Sequence, residues 1–414
     1  MENVEQKHNI FKISNELLEL LKSKGYSIGT LNNYRRALNS IALFMKKRKL
    51  TEYTEEIGEA YFADHISNCK IKKSRQKQIQ TLLRRLDELK NGVGYRLIKP
   101  SPVLPIPLQY VDILKTYLAF CDSHGNKQTT IAAKRNFCGR FLCYLMETGC
   151  EDITSINTNY ICKACLKFVN KDAFAVVKLY LGYLYKAGIL NFDYSVIVPK
   201  YQRAQTLPTT YTINEIHRLE DVVECCAKDS GIGKRDHAAL LLATRVGMRS
   251  GDIIRLKFEN IDFSCDRIHL IQEKTGQPIS LPLLPEIRLA ILEYVQKARP
   301  SVESDFLFLK ENAPFERMTT SALRYALTGY FMSAHINISG KKHGVHTLRA
   351  SLASSMVNND VPYEVVRKVL GHTDPQAVRH YAKVDLENLR KYAIDVPAPS
   401  GIFAKVLQGR KQLW

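Results

Sequence analysis

The sequence predicts a mainly α-helical protein that carries one small β-hairpin or sheet. Three observations support this. Apolar residues recur at helical spacing through most of the 414 residues. One stretch, "DRIHLIQEKTGQPISLPL" at 266–283, alternates at strand spacing about a "KTGQ" turn. Two Pro-bearing connectors, 97–107 and 198–210, interrupt the helical period and leave three segments. The expected organisation is a helical module over 1–98, a second over 109–198, a mixed segment over 206–396 and a tail over 397–414.

The first two segments read as copies displaced by one hundred positions. Leu17, Leu21, Gly25, Thr30, Arg35 and Ile41 meet Tyr117, Cys121, Gly125, Thr130, Arg135 and Phe141. That pattern fits a duplicated small helical module, and two unrelated helical hairpins could also produce it. Each copy has a basic helix, at 32–50 with Arg35 and Arg36 and at 132–142 with Lys134, Arg135 and Arg140. At 70–90, Lys73, Lys77 and Arg84 can share one face while Ile79, Leu82, Leu83 and Leu86 face inward. A single run of this kind is usually a solvated face. Three of them in one strongly basic chain point to phosphate contacts.

The third segment opens with an amphipathic helix at 212–227, where Thr212 and Glu215 have capping-box spacing. "RDHAALLLATRVGMRSGDIIRLKFENIDF" follows as a buried helix, a glycine turn and a short helix opened by Ser250. The hairpin comes next, with Lys274 near its tip. The remainder is expected to be helical to about residue 395.

Composition narrows the function. The formal charge of +19 makes a polyanion the leading partner, nucleic acid above all. No apolar run reaches membrane-spanning length, and "MENVEQKHNI" lacks the basic start and apolar core of a signal peptide, so the cytoplasm is the expected compartment. Ten scattered cysteines suit free core thiols. The Cys162/Cys165 pair has no second pair at zinc-ribbon spacing, and His343 with His346 has no third ligand, so no metal and no cofactor is expected.

The polar residues that stand out in the third segment are cations at turns and helix ends: Arg249, Lys274, His346 with Arg349, and His372, followed by Tyr381. Each alone also fits a plain role, as a helix-end ion pair, a C-terminal cap or a core aromatic. Together they could line one anion-binding site. Residues three apart on a helix are neighbours, so His346 and Arg349 can address one anion from the same wall. An arginine fork matches the two non-bridging oxygens of a phosphodiester, and a second arginine completes a clamp around transition-state charge.

The motifs "VGMRSGDI", "EKTG", "HTLR", "LGH" and "RHYAKVD", in that order across 249–381, resemble those of the tyrosine recombinases, the phage integrase family. The resemblance spans roughly 109–395, with Met248 and Ala350 as mild departures. It implies an α+β catalytic domain and, in the second module, a core-DNA-binding domain. By the same resemblance Tyr381 is the nucleophile that forms a 3′-phosphotyrosyl link, and Arg249, Arg349 and His372 hold the phosphate. Lys274 protonates the leaving 5′-oxygen, His346 serves in proton transfer, and Asp252 orients the active-site side chains. The implied activity is site-specific recombination by an integrase or transposase of a mobile element, acting as a homo-tetramer on synapsed sites, with accessory DNA-bending or directionality proteins as further partners. A chromosome or plasmid dimer resolvase and a catalytically inactive DNA-binding protein are the alternatives. The tail is expected to dock on a neighbouring protomer.

Overall fold

The computed structural model describes residues 10–68, 72–96, 104–168, 171–200 and 209–371, together with Ser400, Gly401 and Ala404. These residues group into two compact units, one drawn from 1–96 and 206–414 and the other from 97–205. The described chain is mostly helical with a single three-stranded antiparallel sheet, as the periodicities predict.

The first four helices are α1 (Ile10–Ser23), α2 (Ile28–Lys47), α3 (Glu55–Asn68) and α4 (Lys73–Lys90). The next four are α5 (Leu108–Ser123), α6 (Gln128–Glu147), α7 (Thr158–Lys167) and α8 (Lys171–Lys186). The second set repeats the first, and the repeat extends to single hydrogen bonds. Gly25 and Gly125 both have positive φ, at 80° and 73°, and the following amides, Tyr26 and Asn126, donate to Leu21 O and Cys121 O. Leu50 and Cys150 donate to Met45 O and Leu145 O in the same way. Helix α4 superposes on α8 by burial pattern at an offset of 98: Ile79, Leu82, Leu83 and Leu86 are buried where Val177, Tyr180, Leu181 and Leu184 are. Each module closes its own apolar core.

The modules fill their interiors differently. In the first, Arg85 is 6% exposed and its guanidinium donates to the hydroxyls of Tyr34, Tyr26 and Tyr95, with all three rings close enough for cation–π contact. In the second, the equivalent Tyr183 lies among Tyr117 and Phe120, ring centroids 5.1 and 4.8 Å away.

The third segment is built around α10 (Gly231–Thr244), whose residues from Ala238 to Thr244 are all buried. A helix apolar on every side must be surrounded. Here α9 (Ile213–Asp229), α12 (Pro285–Lys297) and α14 (Val345–Asn358) pack on it. Helix α9 starts in the expected capping box, Thr212 Oγ1 accepting from Glu215 N while Glu215 Oε2 accepts from Thr212 N. After α11 (Ser250–Arg255), strands β1 (Ile261–Asp262), β2 (Arg267–Ile271) and β3 (Pro278–Pro282) form the sheet in that order, Ile268 opposite Leu281 on its buried face. Helices α13 (Thr320–Ser333) and α15 (Tyr363–Leu370) complete the described part.

One expectation needs correction. The chain after the hairpin is not continuously helical: residues 299–318 run as irregular chain between α12 and α13, with bridges at Lys257–Phe306 and Leu309–Arg317. Arg299 stabilises this stretch by donating to the carbonyls of Ser304, Phe306 and Leu307, doing with one side chain what a helix does with its own amides. Among the described residues no helix is long and apolar enough to cross a membrane.

Candidate active site

The site forms around the C-terminal end of α15. A helix end leaves its last carbonyls without intrahelical partners, and cations are favoured there by the macrodipole. Gly371 terminates α15 in the left-handed conformation, at φ 59° and ψ 47°. Two arginines from distant parts of the chain take the exposed carbonyls: Arg349 Nη2 donates to Leu370 O, and Arg249 Nη2 donates to Gly371 O at 3.3 Å. The helix-capping role open to these residues is therefore real, and it is also what brings the two guanidinium groups together.

Each arginine is placed by its local backbone. Arg349 lies on the second turn of α14, 2% exposed, and its Nη1 donates to Gly247 O at 2.5 Å. Gly247 turns the chain out of α10 at φ 65°, a conformation that strains any L side chain, and a Cβ there would also press on the Leu370 and Leu352 side chains at 3.0 and 3.1 Å. Two residues on, Arg249 is the N-cap of α11, and its side chain remains partly open to solvent.

Asp252, buried at 5% exposure, carries the link from α11 to the hairpin by accepting the Glu273 amide at 2.9 Å. Arg255 adds an ion pair to the Glu273 carboxylate. Both contacts hold the turn on which Lys274 is exposed, closed by Gly276 N donating to Gln272 O. Gln272 itself is 3% exposed. It accepts from Thr275 Oγ1 at 2.9 Å, donates to Leu370 O at 3.5 Å and packs on Gly371. The lysine turn and the α15 terminus are thereby fixed to each other.

His346 occupies the first turn of α14, exposed at the surface. Its pKa is lowered from the usual histidine value, first by crowding of the ring against protein, then by the charges of Arg349, Lys274, Lys342 and Arg249. The charges of four cations thus all act on one imidazole. They add to desolvation in disfavouring the protonated ring, which leaves it an acceptor of a proton.

The structure therefore brings together Arg249, Asp252, Lys274, His346 and Arg349 from α11, the β2–β3 turn and α14. His372 and Tyr381 lie outside the described residues, although Gly371, next to His372, is in the site. Sequence reasoning missed Gln272 and the backbone acceptors. Gln272 left one signal: inward positions run Ile268 and Leu270 on β2 and then Gln272 just past its end, and a buried polar residue needs a partner. The His343 Nδ1 lies 3.2 Å from Lys341 O. Among the described residues no group of three histidine, cysteine or acidic side chains is placed to hold a metal.

The candidate DNA-contacting residues divide into two sets. Arg35, Arg36, Lys73, Lys77, Arg135 and Arg140 are exposed, with Arg35 and Arg135 at matching positions of the two modules. Two differ from expectation. Arg84 is largely buried and paired with Glu88 at 2.8 Å, since the carboxylate one turn on competes for its charge. Lys134 bends inward to Asn126 Oδ1 at 3.0 Å and Cys121 Sγ at 3.2 Å.

Comparison with known proteins places this arrangement. The model of the phage integrase family matches residues 212–388, which include the whole site. A relative from Sinorhizobium fredii described as an integrase/recombinase, y4gC, is 32% identical over 187 residues, 45% of this chain and 96% of the relative. Another from the same organism, y4rF, is 29% identical over 232 residues, 53% of this chain and 52% of the relative, so the chain spans about half the length of that protein. The crystal structure of XerH site-specific recombinase bound to a palindromic difH substrate aligns over 71% of this chain and 98% of that one, with TM-score 0.55 and 15% identity, a likeness of fold. A relative matched along nearly its whole length and a family model covering the cluster of cations agree: this chain belongs to the phage integrase family, the tyrosine recombinases.

Proposed function

We propose that the protein cuts and rejoins double-stranded DNA at specific sites through a covalent phosphotyrosyl intermediate. The observation that carries this is the meeting of Arg249 and Arg349 at the end of α15, with the Lys274 turn tied to the same end through Gln272 and with His346 one turn before Arg349 on α14. In this reading the Tyr381 oxygen attacks the scissile phosphorus, the bond to the 5′-oxygen breaks, and a 3′-phosphotyrosyl bond and a free 5′-hydroxyl result. The covalent bond conserves the phosphodiester, so rejoining is the same reaction in reverse. Arg249 and Arg349 neutralise the non-bridging oxygens together with His372. Neutral His346 accepts the tyrosine proton, and Lys274, on an exposed turn, supplies one to the leaving oxygen. Asp252 and Gln272 hold that turn in place.

Similarity to integrase/recombinases supports action on a mobile element. The exposed basic faces of the two modules serve as DNA clamps, residues 109–198 on the core site and 1–98 on more distal DNA, and four protomers act on synapsed sites with the tail crossing between them. The test is covalent trapping on a nicked candidate site. Wild type is expected to form a protein–DNA adduct stable to denaturant, and Tyr381→Phe to bind the site without forming one; an adduct of normal yield in the variant overturns the assignment.

A further inference from the structure

The second helical module contains a cavity of about 870 Å³ that the proposed reaction does not use. It lies between α5, the start of α6 and α8. The repeat explains why it is there. Along one face of α4, at successive helical turns, stand Gln80, Arg84 and Glu88, and the Arg84–Glu88 ion pair covers the helix; at the matching turns of α8 stand Lys178, Gly182 and Lys186. Tyr26 and Tyr34 of the first module are replaced by Asn126 and Lys134. After the fourth helix the first module inserts Tyr95, and the second has Asp193 and Ser195 in the cavity wall. The same scaffold carries an ion pair and an arginine–tyrosine cluster in one copy and a cavity in the other.

The opening is not forced by crowding. A Cβ at Gly182 would come no closer than 3.6 Å to Ser195, so alanine fits at a position where glycine weakens the helix. The exposed space has a definite chemistry. One wall is a series of rings, Tyr117, Tyr183, Phe120 and His124, with neighbouring centroids 5.1, 4.8 and 4.0 Å apart. Lys178 and Lys186 flank the gap at Gly182 on α8, Lys134 approaches the Tyr117 ring to 5.5 Å, and Asp193 is the acidic residue of the lining. Aromatic faces beside clustered ammonium groups suit a planar ring carrying a phosphate.

We propose that this cavity is a nucleoside-phosphate site, the ring stacking on Tyr183 and Phe120 and the phosphate met by Lys178 and Lys186. The ligand is either a free nucleotide or a nucleotide unstacked from bound DNA. The test uses the full chain and thymidine 5′-monophosphate, followed by saturation-transfer NMR. The nucleotide should bind, with thymidine and deoxyribose 5-phosphate each weaker by about tenfold or more, because each lacks one of the two contacts. Gly182→Arg with Lys186→Glu installs the ion pair of the first module at the matching positions of the second, where a Cβ at residue 182 has room, and should abolish binding; Lys186→Glu alone, a surface change, should weaken it. A second arm compares affinity for a paired duplex and for one with an unpaired nucleotide. If the source is DNA, the double variant loses the preference for the unpaired site. If it is free nucleotide, both DNA affinities stay unchanged while nucleotide binding is lost. No nucleotide binding by wild type, or undiminished binding by both variants, overturns the proposal, and neither readout depends on strand cleavage.

Discussion

Replacing Gly371 by alanine tests the packing at the centre of the site. Two costs are legible in the structure. The residue has φ 59°, where an L side chain costs about 1 kcal/mol. A Cβ there would also lie 2.6 Å from the Gln272 amide nitrogen, and Gln272 is buried, so the amide can move only by giving up its bonds to Leu370 O and Thr275. One sound hydrogen bond and one long one are worth about 1–2 kcal/mol together. Gly371→Ala should therefore destabilise by about 2–3 kcal/mol in urea denaturation, with unchanged dependence on denaturant. The double-mutant cycle separates the two parts. In a Gln272→Ala background the collision is gone and only the backbone cost remains, about 1 kcal/mol, giving a coupling of about 1–2 kcal/mol. If Gly371→Ala costs the same in both backgrounds, the hairpin and the α15 terminus are not locked together as described.

Arg249→Ala and Arg349→Ala should each slow strand cleavage by ~10²-fold or more, the usual effect of removing one transition-state donor, while duplex binding persists. Only Arg349→Ala should also lower the unfolding midpoint strongly, because it removes the guanidinium from the buried Gly247 carbonyl and leaves Leu370 O with the long bond from Gln272. Asp252→Ala should cleave poorly on normal DNA and recover on a substrate whose bridging 5′-oxygen is sulfur, as Lys274→Ala should, since a thiolate leaves without a proton; recovery by Lys274→Ala alone would detach Asp252 from the lysine turn. The lowered pKa of His346 means that the unfolded chain takes up the proton first as pH falls through about 6.5. Stability present above that pH is lost as pH drops toward the folded value. Compared with wild type between about pH 8 and about pH 5, His346→Asn should lose less stability, and parallel curves would show that the imidazole is not held neutral.

What could be read from the sequence was what side chains announce. Arg249, Lys274, His346 and Arg349 stand in recognisable motifs, and the alternation around "KTGQ" placed the lysine on a turn. The glycine that ends α15 and the carbonyls of Gly247 and Leu370 are as much part of the site, but a carbonyl belongs to every residue and leaves no mark until the fold aims it. Arg84 and Lys134 show the opposite error. Their helical faces were right, yet local partners, Glu88 one turn away and Asn126 in the preceding turn, claimed the charge. Burial of Cys138, whose thiol pKa burial raises, was legible from its apolar helix. Arg85, only one residue from a predicted surface arginine, was not, because its acceptors are tyrosines 51, 59 and 10 residues away.

The duplication sets a hazard for the growing chain. Two four-helix modules whose second helices are both 20 residues long and whose turns on either side of it are hydrogen-bonded alike, one hundred residues apart on one polypeptide, invite exchange of equivalent helices as they emerge. Their unlike interiors act against it. A hybrid placing α4 among α5, α6 and α7 would bury the Arg85 guanidinium where Asn126 and Lys134 replace two of its tyrosine partners, setting one cation beside another. The reciprocal hybrid would put the Tyr183 ring where the hydroxyls of Tyr26 and Tyr34 lose the Arg85 guanidinium. Each module therefore rejects the other's fourth helix, and divergence of the two cores keeps a repeated sequence from assembling with itself in the wrong order.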